Sequence, residues 1–172
     1  MAKEGHFEKQ PNRFVMVSTG QIETFRKDGA RDALARAVDV IHSGHCLGVF
    51  PEGTRSRREV PPMLQPAKTG FARLAAKFPN VPVVPVTMSI GAREFMPPGS
   101  KFPKPWKRIE LIVDDPLTFG EWAQHEQGGG IDDKWVDEIS NLGVEERQDS
   151  MRSLYRKFAD QFIETQKMRG AP

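Results

Sequence analysis

The sequence has very little cysteine and no long hydrophobic segment. Cys46 is the single cysteine among 172 residues, so no intramolecular disulfide can form. Its position in an apolar run predicts a buried and unreactive thiol. No run approaches the roughly 18 consecutive apolar residues that a membrane-spanning helix needs. We therefore expect a chain that does not cross a membrane.

A recognisable secretory signal is also missing from the first residues. Met1 to His6 lack the apolar stretch that such a signal requires. This predicts a location in the cytoplasm. The length suits a single domain with a sizeable core.

Neither sign of charge dominates the sequence. Lys and Arg number 25 against 23 Asp and Glu, which gives a formal net charge of +2, so overall charge says little about partners. Residues 101–108 are a local exception because cations and aromatic residues alternate there. These residues are Lys101, Phe102, Lys104, Trp106, Lys107 and Arg108. The composition suits anionic lipid headgroups and would also suit nucleic acid, while the plain alternative is a solvated, proline-stiffened loop.

Hydrophobic periodicity predicts alternating strands and helices. The predicted strands are 14–17, 21–25, 46–50, 81–88 and 109–113, and the predicted helices are 30–41, 67–77 and a final helix near the C-terminus. Asp28 is placed to cap the first helix and Gly44 to end it. This order predicts an α/β fold with a mostly parallel central sheet and helices packed on it.

Three segments make up the predicted domain organisation. Residues 1–120 form the α/β core. Residues 121–148 form an acidic, glycine-containing surface excursion with a short helix near 135–139. Residues 149–172 form a helix whose apolar stripe packs on the core.

The stretch that follows the strand at 46–50 carries the strongest chemical signal. Pro51 cannot donate to a strand ladder and Gly53 permits a tight turn, so the chain leaves the sheet abruptly. Hydroxyl and guanidinium donors follow, from Thr54, Arg55, Ser56, Arg57 and Arg58. Forked donors suit phosphate oxygens, and ligands gather at the carboxyl ends of strands in α/β sheets. Glu52 either pairs with the arginines or accepts hydrogen bonds from a polyol. The plain alternative is an exposed basic turn that serves solubility.

This stretch, Phe50-Pro51-Glu52-Gly53-Thr54-Arg55-Ser56-Arg57, resembles the third sequence block of the glycerol-phosphate acyltransferase family, which includes the 1-acylglycerol-3-phosphate acyltransferases. The resemblance runs from about Met1 to Leu117. Gly20 to Arg26 is similar to the second block, and Lys68-Thr69-Gly70 resembles the lysine and glycine that follow the third. Val83 to Val86 resembles the fourth block.

The resemblance implies a set of site residues. Phosphate and glycerol binding would fall to Arg26, Glu52, Gly53, Thr54, Arg55, Ser56 and Lys68, and the acyl-chain side of the site to Pro85. Plainer interpretations stay open for three of them: Arg26 as an ordinary surface arginine, Lys68 as a solvated lysine and Pro85 as part of a core strand. No metal and no cofactor is implied.

The resemblance also implies an activity in phospholipid synthesis. Members of the family transfer a fatty acyl group from a thioester, on coenzyme A or acyl carrier protein, to a hydroxyl of a phosphorylated glycerol such as a lysophosphatidate. The expected partners are therefore a lysophospholipid, an acyl thioester or acyl carrier protein, and a membrane surface, with no nucleic acid. The expected location is peripheral, at the inner face of the cell membrane.

One part of the family's machinery is missing from the sequence. In the family a histidine, with an aspartate five positions later, removes the proton of the acceptor hydroxyl. Five positions after His6, His42, His45 and His125 stand Pro11, Leu47, Phe50 and Gly130. No catalytic residue is therefore assigned, and we expect an acyltransferase fold that lacks its amino-terminal portion. The alternative is a catalytically inactive module that binds lipid phosphate.

Overall fold

The computed structural model describes residues 2–3, 12–24, 29–54, 56, 58–60, 63–100 and 102–171. The chain forms two compact units, Met1–Phe50 and Pro51–Pro172. The first unit contains strand β1 (Ala2–Lys3), helix α1 (Asn12–Ser18), strand β2 (Glu23–Thr24) and helix α2 (Gly29–His42). Strands β1 and β2 pair in parallel, with Ala2 opposite Glu23.

Helix α1 replaces the strand that was predicted at 14–17, so that prediction is wrong. Gly20, which reads in the sequence as a turn between strands, has φ +67° and lies just beyond the helix. Its N–H donates to the Val17 carbonyl, and the N–H of Gln21 donates to the Met16 carbonyl. These two bonds form a Schellman motif, which satisfies the unpaired carbonyls at the end of a helix. A strand at this place would have no such carbonyls to satisfy. A four-residue apolar run cannot by itself distinguish a strand from a short helix.

Helix α2 confirms the predicted helix at 30–41 and its end. Ala33 and Ala37 are buried on one face. Gly44 has φ +76°, its N–H donates to the Ile41 carbonyl, and the next N–H, of His45, donates to the Val40 carbonyl. This is again a Schellman motif at a glycine. The predicted cap, Asp28, lies outside the described residues.

Residues 46–50 form no strand in the part of the chain that the structure describes, so the predicted strand is wrong. Cys46 is exposed rather than buried, and Phe50 is 71% exposed. A strand is stabilised by the ladder to its neighbour, and Gly48 at the centre of this run adds no packing. Without a paired neighbour, the apolar run does not bury its side chains.

The second unit is mainly helical. Its helices are α3 (Gly70–Lys77), α4 (Ala92–Phe95), α5 (Phe119–Gln124), α6 (Asp133–Asn141) and α7 (Val144–Met168), and its strands are β3 (Pro82–Val83), β4 (Val86–Met88), β5 (Leu111–Val113) and β6 (Leu117–Thr118). Helix α3 confirms most of the helix predicted at 67–77. None of the described helices is both long and apolar enough to span a membrane.

An aromatic cluster holds helices α3, α5 and α7 together. Phe158 of α7 is 2% exposed, and its ring centroid lies 5.7 Å from that of Phe71, 5.2 Å from that of Phe119 and 4.8 Å from that of Trp122. Such tilted and edge-on pairs add to the burial of apolar area. The apolar stripe predicted near the C-terminus therefore packs on the core of this unit.

The strands form separate pairs rather than one sheet. Strand β3 pairs antiparallel with β6, and β4 pairs antiparallel with β5. The strand predicted at 81–88 is interrupted between Val83 and Val86, and it is not covered on both faces because Val84 and Val86 are 47% and 44% exposed. The mixture of helices and strands is as predicted, whereas a mostly parallel central sheet is not confirmed among the described residues.

Two glycines of residues 121–148, Gly128 and Gly129, lie in a close-packed turn after α5. Helix α5 begins with a capping box, in which Thr118 Oγ1 accepts from the Glu121 N–H and the Glu121 carboxylate accepts from Thr118. A Cβ added to Gly128 would lie 2.0 Å from the Trp122 carbonyl oxygen, and one added to Gly129 would lie 2.5 Å from that of Ala123. Only glycine permits this approach to the end of the helix.

Candidate functional site

Two hydrogen bonds close residues 51–68 into a loop, which we call the closed loop. The Pro51 carbonyl accepts from the Lys68 N–H at 2.7 Å. One residue further in, Glu52 Oε2 accepts from the Gln65 N–H, also at 2.7 Å. The second bond is charge-assisted and thus stronger than a neutral one. Together they hold both ends of the segment that carries the FPEGTRSR signature next to the start of α3.

The turn at Gly53 brings Lys68 beside the signature. Gly53 has φ +68°, a conformation that residues with a Cβ seldom adopt. A Cβ placed on Gly53 would lie 3.5 Å from Lys68 Cγ, so the lysine stem runs along this turn. Lys68 is exposed, as is the neighbouring Thr54. The structure therefore brings Glu52, Gly53 and Lys68 together, and their binding of a substrate stays a prediction.

Ser56 makes a local hydrogen bond within the closed loop. Its Oγ accepts from the Arg58 N–H at 3.2 Å. Arg58 Nη1 donates to the Leu64 carbonyl at 3.4 Å, a long contact. The Ser56 hydroxyl keeps its own proton to donate, because a hydroxyl donates and accepts at once.

Glu52 acts as a brace for the loop. The sequence left two roles open for it, pairing with arginines or binding a polyol, and both stay predictions; among the described residues, its carboxylate accepts from the backbone of Gln65. A carboxylate oxygen used in this way fixes the direction of the chain on both sides of the turn. The two predicted phosphate ligands Arg26 and Arg55 lie outside the described residues, so their convergence stays a prediction.

Pro85 lies in the break between β3 and β4, where it is buried. Its carbonyl accepts from the Asp114 N–H at 3.0 Å. The Asp114 side chain is 9% exposed and forms an ion pair with Arg169, which follows α7. These contacts hold Pro85 in place; its predicted position beside an acyl chain stays a prediction.

Sequence reasoning missed a residue that supports the closed loop from the far end of the chain. Arg156 of α7 donates from Nη1 to the Ala67 carbonyl at 2.8 Å. The same guanidinium forms an ion pair with Asp160, Nη2 to Oδ1 at 2.8 Å. Ala67 is 2% exposed and directly precedes Lys68. The only local signal was an Arg and an Asp at helical spacing, which gives no indication of a contact 89 residues away.

The described histidines lie at helix ends. His42 is the last residue of α2, and His45 is the second residue beyond its cap, both exposed. His125 ends α5, and its Nδ1 accepts from the Gln127 N–H at 3.2 Å. These positions agree with the capping or solvated roles predicted for His42 and His45. Among the described residues no group of three or more His, Cys, Asp or Glu side chains is arranged to hold a metal ion.

Comparison with known proteins agrees with the signature. The sequence profile of the family described as Acyltransferase matches residues 1–89. A chloroplastic 1-acyl-sn-glycerol-3-phosphate acyltransferase of Brassica napus, BAT2, is 36% identical over 86 residues. That alignment covers 50% of this chain and 24% of the Brassica protein, so the chain matches about a quarter of that relative's length. No solved structure gives a significant match. The profile covers more than half of the chain, which therefore belongs to the glycerol-phosphate acyltransferase family.

Proposed function

We propose that the closed loop binds the phosphate of a lysophosphatidate-like acceptor in a transfer of a fatty acyl group from coenzyme A or acyl carrier protein. The observation that carries the proposal is the loop geometry: Lys68 runs along the Gly53 turn, in the segment where this family's signature stands. The Brassica relative is named for the same acceptor class.

The charges around the turn favour a dianion. The Lys68 ammonium is a mobile cation on a flexible stem, suited to a phosphate as a point charge. Helix α3 begins two residues later, at Gly70, and has no acidic residue in its first turn. The first turn of a helix carries positive potential, and Lys68 lies just before this turn. Arg26 and Arg55 would supply the forked donors, and Thr54 and Ser56 the hydroxyl donors.

The Glu52 brace matters because a phosphate site must be organised before the ligand arrives. When a loop closes only on binding, the free-energy cost of closing it reduces the binding free energy, and the affinity is lower. Since Glu52 and Pro51 already bond across the loop, this free energy does not reduce the affinity for the acceptor. We assign Glu52 a positioning role, with no direct contact to the phosphate required.

The chemical step needs a base in addition to this site. The acceptor oxygen bonds to the thioester carbonyl carbon, the carbon–sulfur bond breaks, and the hydroxyl proton passes through a base to the departing thiolate. The 172-residue sequence holds no histidine with an aspartate five positions later. This observation favours a second candidate function, a lipid-phosphate-binding module without acyl transfer.

Binding of the acceptor headgroup tests the proposed site. We expect Arg55→Ala to weaken binding of sn-glycerol 3-phosphate by about tenfold or more in calorimetry, since hydrogen bonds between charged groups contribute about 1.5–3 kcal/mol. Arg152→Ala is a matched control, because Arg152 is exposed on α7 and pairs with Asp149. If the unaltered chain, Arg55→Ala and Arg152→Ala all bound sn-glycerol 3-phosphate with equal affinity, the phosphate role of Arg55 would be refuted.

Acyl transfer separates the two candidate functions. Release of free thiol from an acyl thioester, with lysophosphatidate as acceptor, is measured for this chain and for a form extended at its amino terminus by a segment with a His and Asp pair. Activity of the extended form alone supports the acyltransferase. Acceptor binding without turnover by either form supports the binding module. In an active form, Arg55→Ala should impair acceptor use far more than thioester use.

A further inference from the structure

The β4–β5 pair presents an uncovered apolar face. The register places Val86 opposite Val113 and Met88 opposite Leu111, so these four side chains lie on one face of the pair. They are 44%, 66%, 38% and 57% exposed, respectively. We call them the apolar face. The opposite face is different: Thr87 is 1% exposed, and Gln166 of α7 donates to the Val86 carbonyl on the adjacent backbone at 3.4 Å.

The segment that precedes β5 carries exposed aromatic side chains and cations. Phe102 is 78% exposed and Trp106 is 74% exposed. Three exposed cations accompany them, Lys104, Lys107 and Arg108. We call residues 102–108 the basic strip. Lys101 lies outside the described residues.

Backbone contacts tie the basic strip to the sheet. A Cβ on Gly91, just past β4, would lie 1.7 Å from the Arg108 carbonyl oxygen, so the two chains meet there. The Lys104 N–H donates to the Phe95 carbonyl at 2.7 Å, and Lys107 Nζ lies 3.4 Å from Glu94 Oε2 in α4. Ile109 then leads directly into β5. The basic strip is thus held at the end of the same strand pair that carries the apolar face.

We propose that the apolar face and the basic strip together dock on a bilayer that contains anionic phospholipid. Charge complementarity selects this partner: Lys104 and Arg108, together with Lys107 beside Glu94, accompany exposed aromatic rings. This combination matches an anionic interface, where aromatic side chains sit at headgroup level and cations meet lipid phosphates. Apolar side chains beside such a strip enter the headgroup and acyl boundary. The proposal does not depend on acyl transfer, and it holds equally for a binding module.

The affinity for such a bilayer follows from both parts of the surface. A Lys or Arg near an anionic membrane contributes about fivefold in partitioning, so loss of two should weaken binding by roughly 30-fold. Val→Thr at the paired positions 86 and 113 replaces a methyl by a hydroxyl without changing the shape or the strand propensity. We expect this double variant to weaken binding by about tenfold.

Vesicle sedimentation of the full chain tests the proposal. The probe is a vesicle of phosphatidylcholine with about a third phosphatidylglycerol, compared with phosphatidylcholine alone, at low and high salt. We expect binding to the anionic vesicle only, and weaker binding of Lys104→Gln with Arg108→Gln and of Val86→Thr with Val113→Thr. Circular dichroism and thermal unfolding check that each variant folds.

Matched controls come from exposed residues elsewhere in the same unit. Val144, at the start of α7, is 71% exposed, and Lys157 of α7 is also exposed. Val144→Thr and Lys157→Gln should bind vesicles like the unaltered chain. Trp106→Phe, a change within the basic strip itself, should lose a large part of the blue shift in tryptophan fluorescence that vesicles produce.

Four results would overturn the proposal. The first is no binding to anionic vesicles at millimolar lipid, and the second is equal weakening of vesicle binding by the control variants. The third is self-association of the chain in place of vesicle binding, abolished in the variant that carries both Val86→Thr and Val113→Thr. The fourth is binding of a single-stranded oligonucleotide without any binding to vesicles. The third result would assign the apolar face to a second copy of the chain, and the fourth would assign the basic strip to nucleic acid.

Discussion

Removal of the Glu52 carboxylate should loosen the closed loop without unfolding the protein. Glu52 Oε2 accepts from the Gln65 N–H at 2.7 Å, and this charge-assisted bond spans 13 residues. Hydrogen bonds to a charged group contribute about 1.5–3 kcal/mol. Glu52→Ala should therefore raise the population in which this bond is open by roughly 10- to 150-fold, since each 1.4 kcal/mol corresponds to a factor of ten.

Glu52→Gln should have a smaller effect of the same kind. The amide oxygen of Gln still accepts from Gln65 N–H, but the bond becomes neutral and contributes about 0.5–1.5 kcal/mol. We expect opening to rise by about fivefold to tenfold. The variant should also impair use of the acceptor while the fold is retained, because the loop that carries the phosphate donors is less well held.

Hydrogen exchange of the Gln65 amide in the native protein measures this opening directly. The expected order of exchange rates is unaltered chain, Glu52→Gln, then Glu52→Ala. Glu59→Gln is the control, since Glu59 is an exposed carboxylate in the same loop. If Gln65 exchanged equally fast in all four proteins, the brace would contribute nothing, and the preorganisation argued for this site would be wrong.

Three further predictions concern the second unit. Arg156→Gln removes the bond to the buried Ala67 carbonyl and should lower the free energy of unfolding by about 1–3 kcal/mol in urea denaturation. Phe158→Ala leaves a cavity among the aromatic rings and should cost about 3–5 kcal/mol in the same measurement. Hydrogen bonds from the Thr118 hydroxyl, and then from its backbone N–H, lower the pKa of Glu121, so Thr118→Val should raise that pKa toward its ordinary value in an NMR titration. Because the pKa of Glu121 is lower in the folded state, its contribution to stability is present above the unfolded pKa and is lost as the pH falls through the folded pKa.

Exposed residues supply controls for the first two of these changes. Arg152→Ala removes an arginine one helical turn before Arg156 whose partner is Asp149 on the same helix, and Phe102→Ala removes a ring that is 78% exposed. Both should change the free energy of unfolding by less than about 0.5 kcal/mol. A control that destabilised as much as its counterpart would contradict the contact assigned to Arg156 or to Phe158.

Local signals predicted the helices better than the strands. Helix α2 was predictable because the helical spacing of its apolar residues and the position of Gly44 indicate the same end. That end is set by hydrogen bonds between residues close in the sequence. The strands at 14–17 and 46–50 were predicted from apolar runs alone, and a strand depends on a partner that a local run does not specify. The same dependence explains why Cys46 is exposed.

The signature suggested where the candidate site lies, but not which contacts support the loop. FPEGTRSR assigned Glu52 and Gly53 to a site, and the resemblance of Lys68-Thr69-Gly70 assigned Lys68 to it; the structure brings these three residues together. The bonds that hold this loop run to the Gln65 backbone and to Arg156, and neither contact leaves a pattern in the sequence. Backbone acceptors and residues distant along the chain are identified only once the chain is folded.

An NMR titration of the chain with sn-glycerol 3-phosphate tests whether the closed loop binds a phosphate monoester. We expect saturable shifts of the Gly53, Thr54 and Lys68 amide signals, with no comparable shifts when glycerol replaces the phosphate ester. Unchanged signals at these three amides, or equal shifts with glycerol, would contradict phosphate binding by the closed loop.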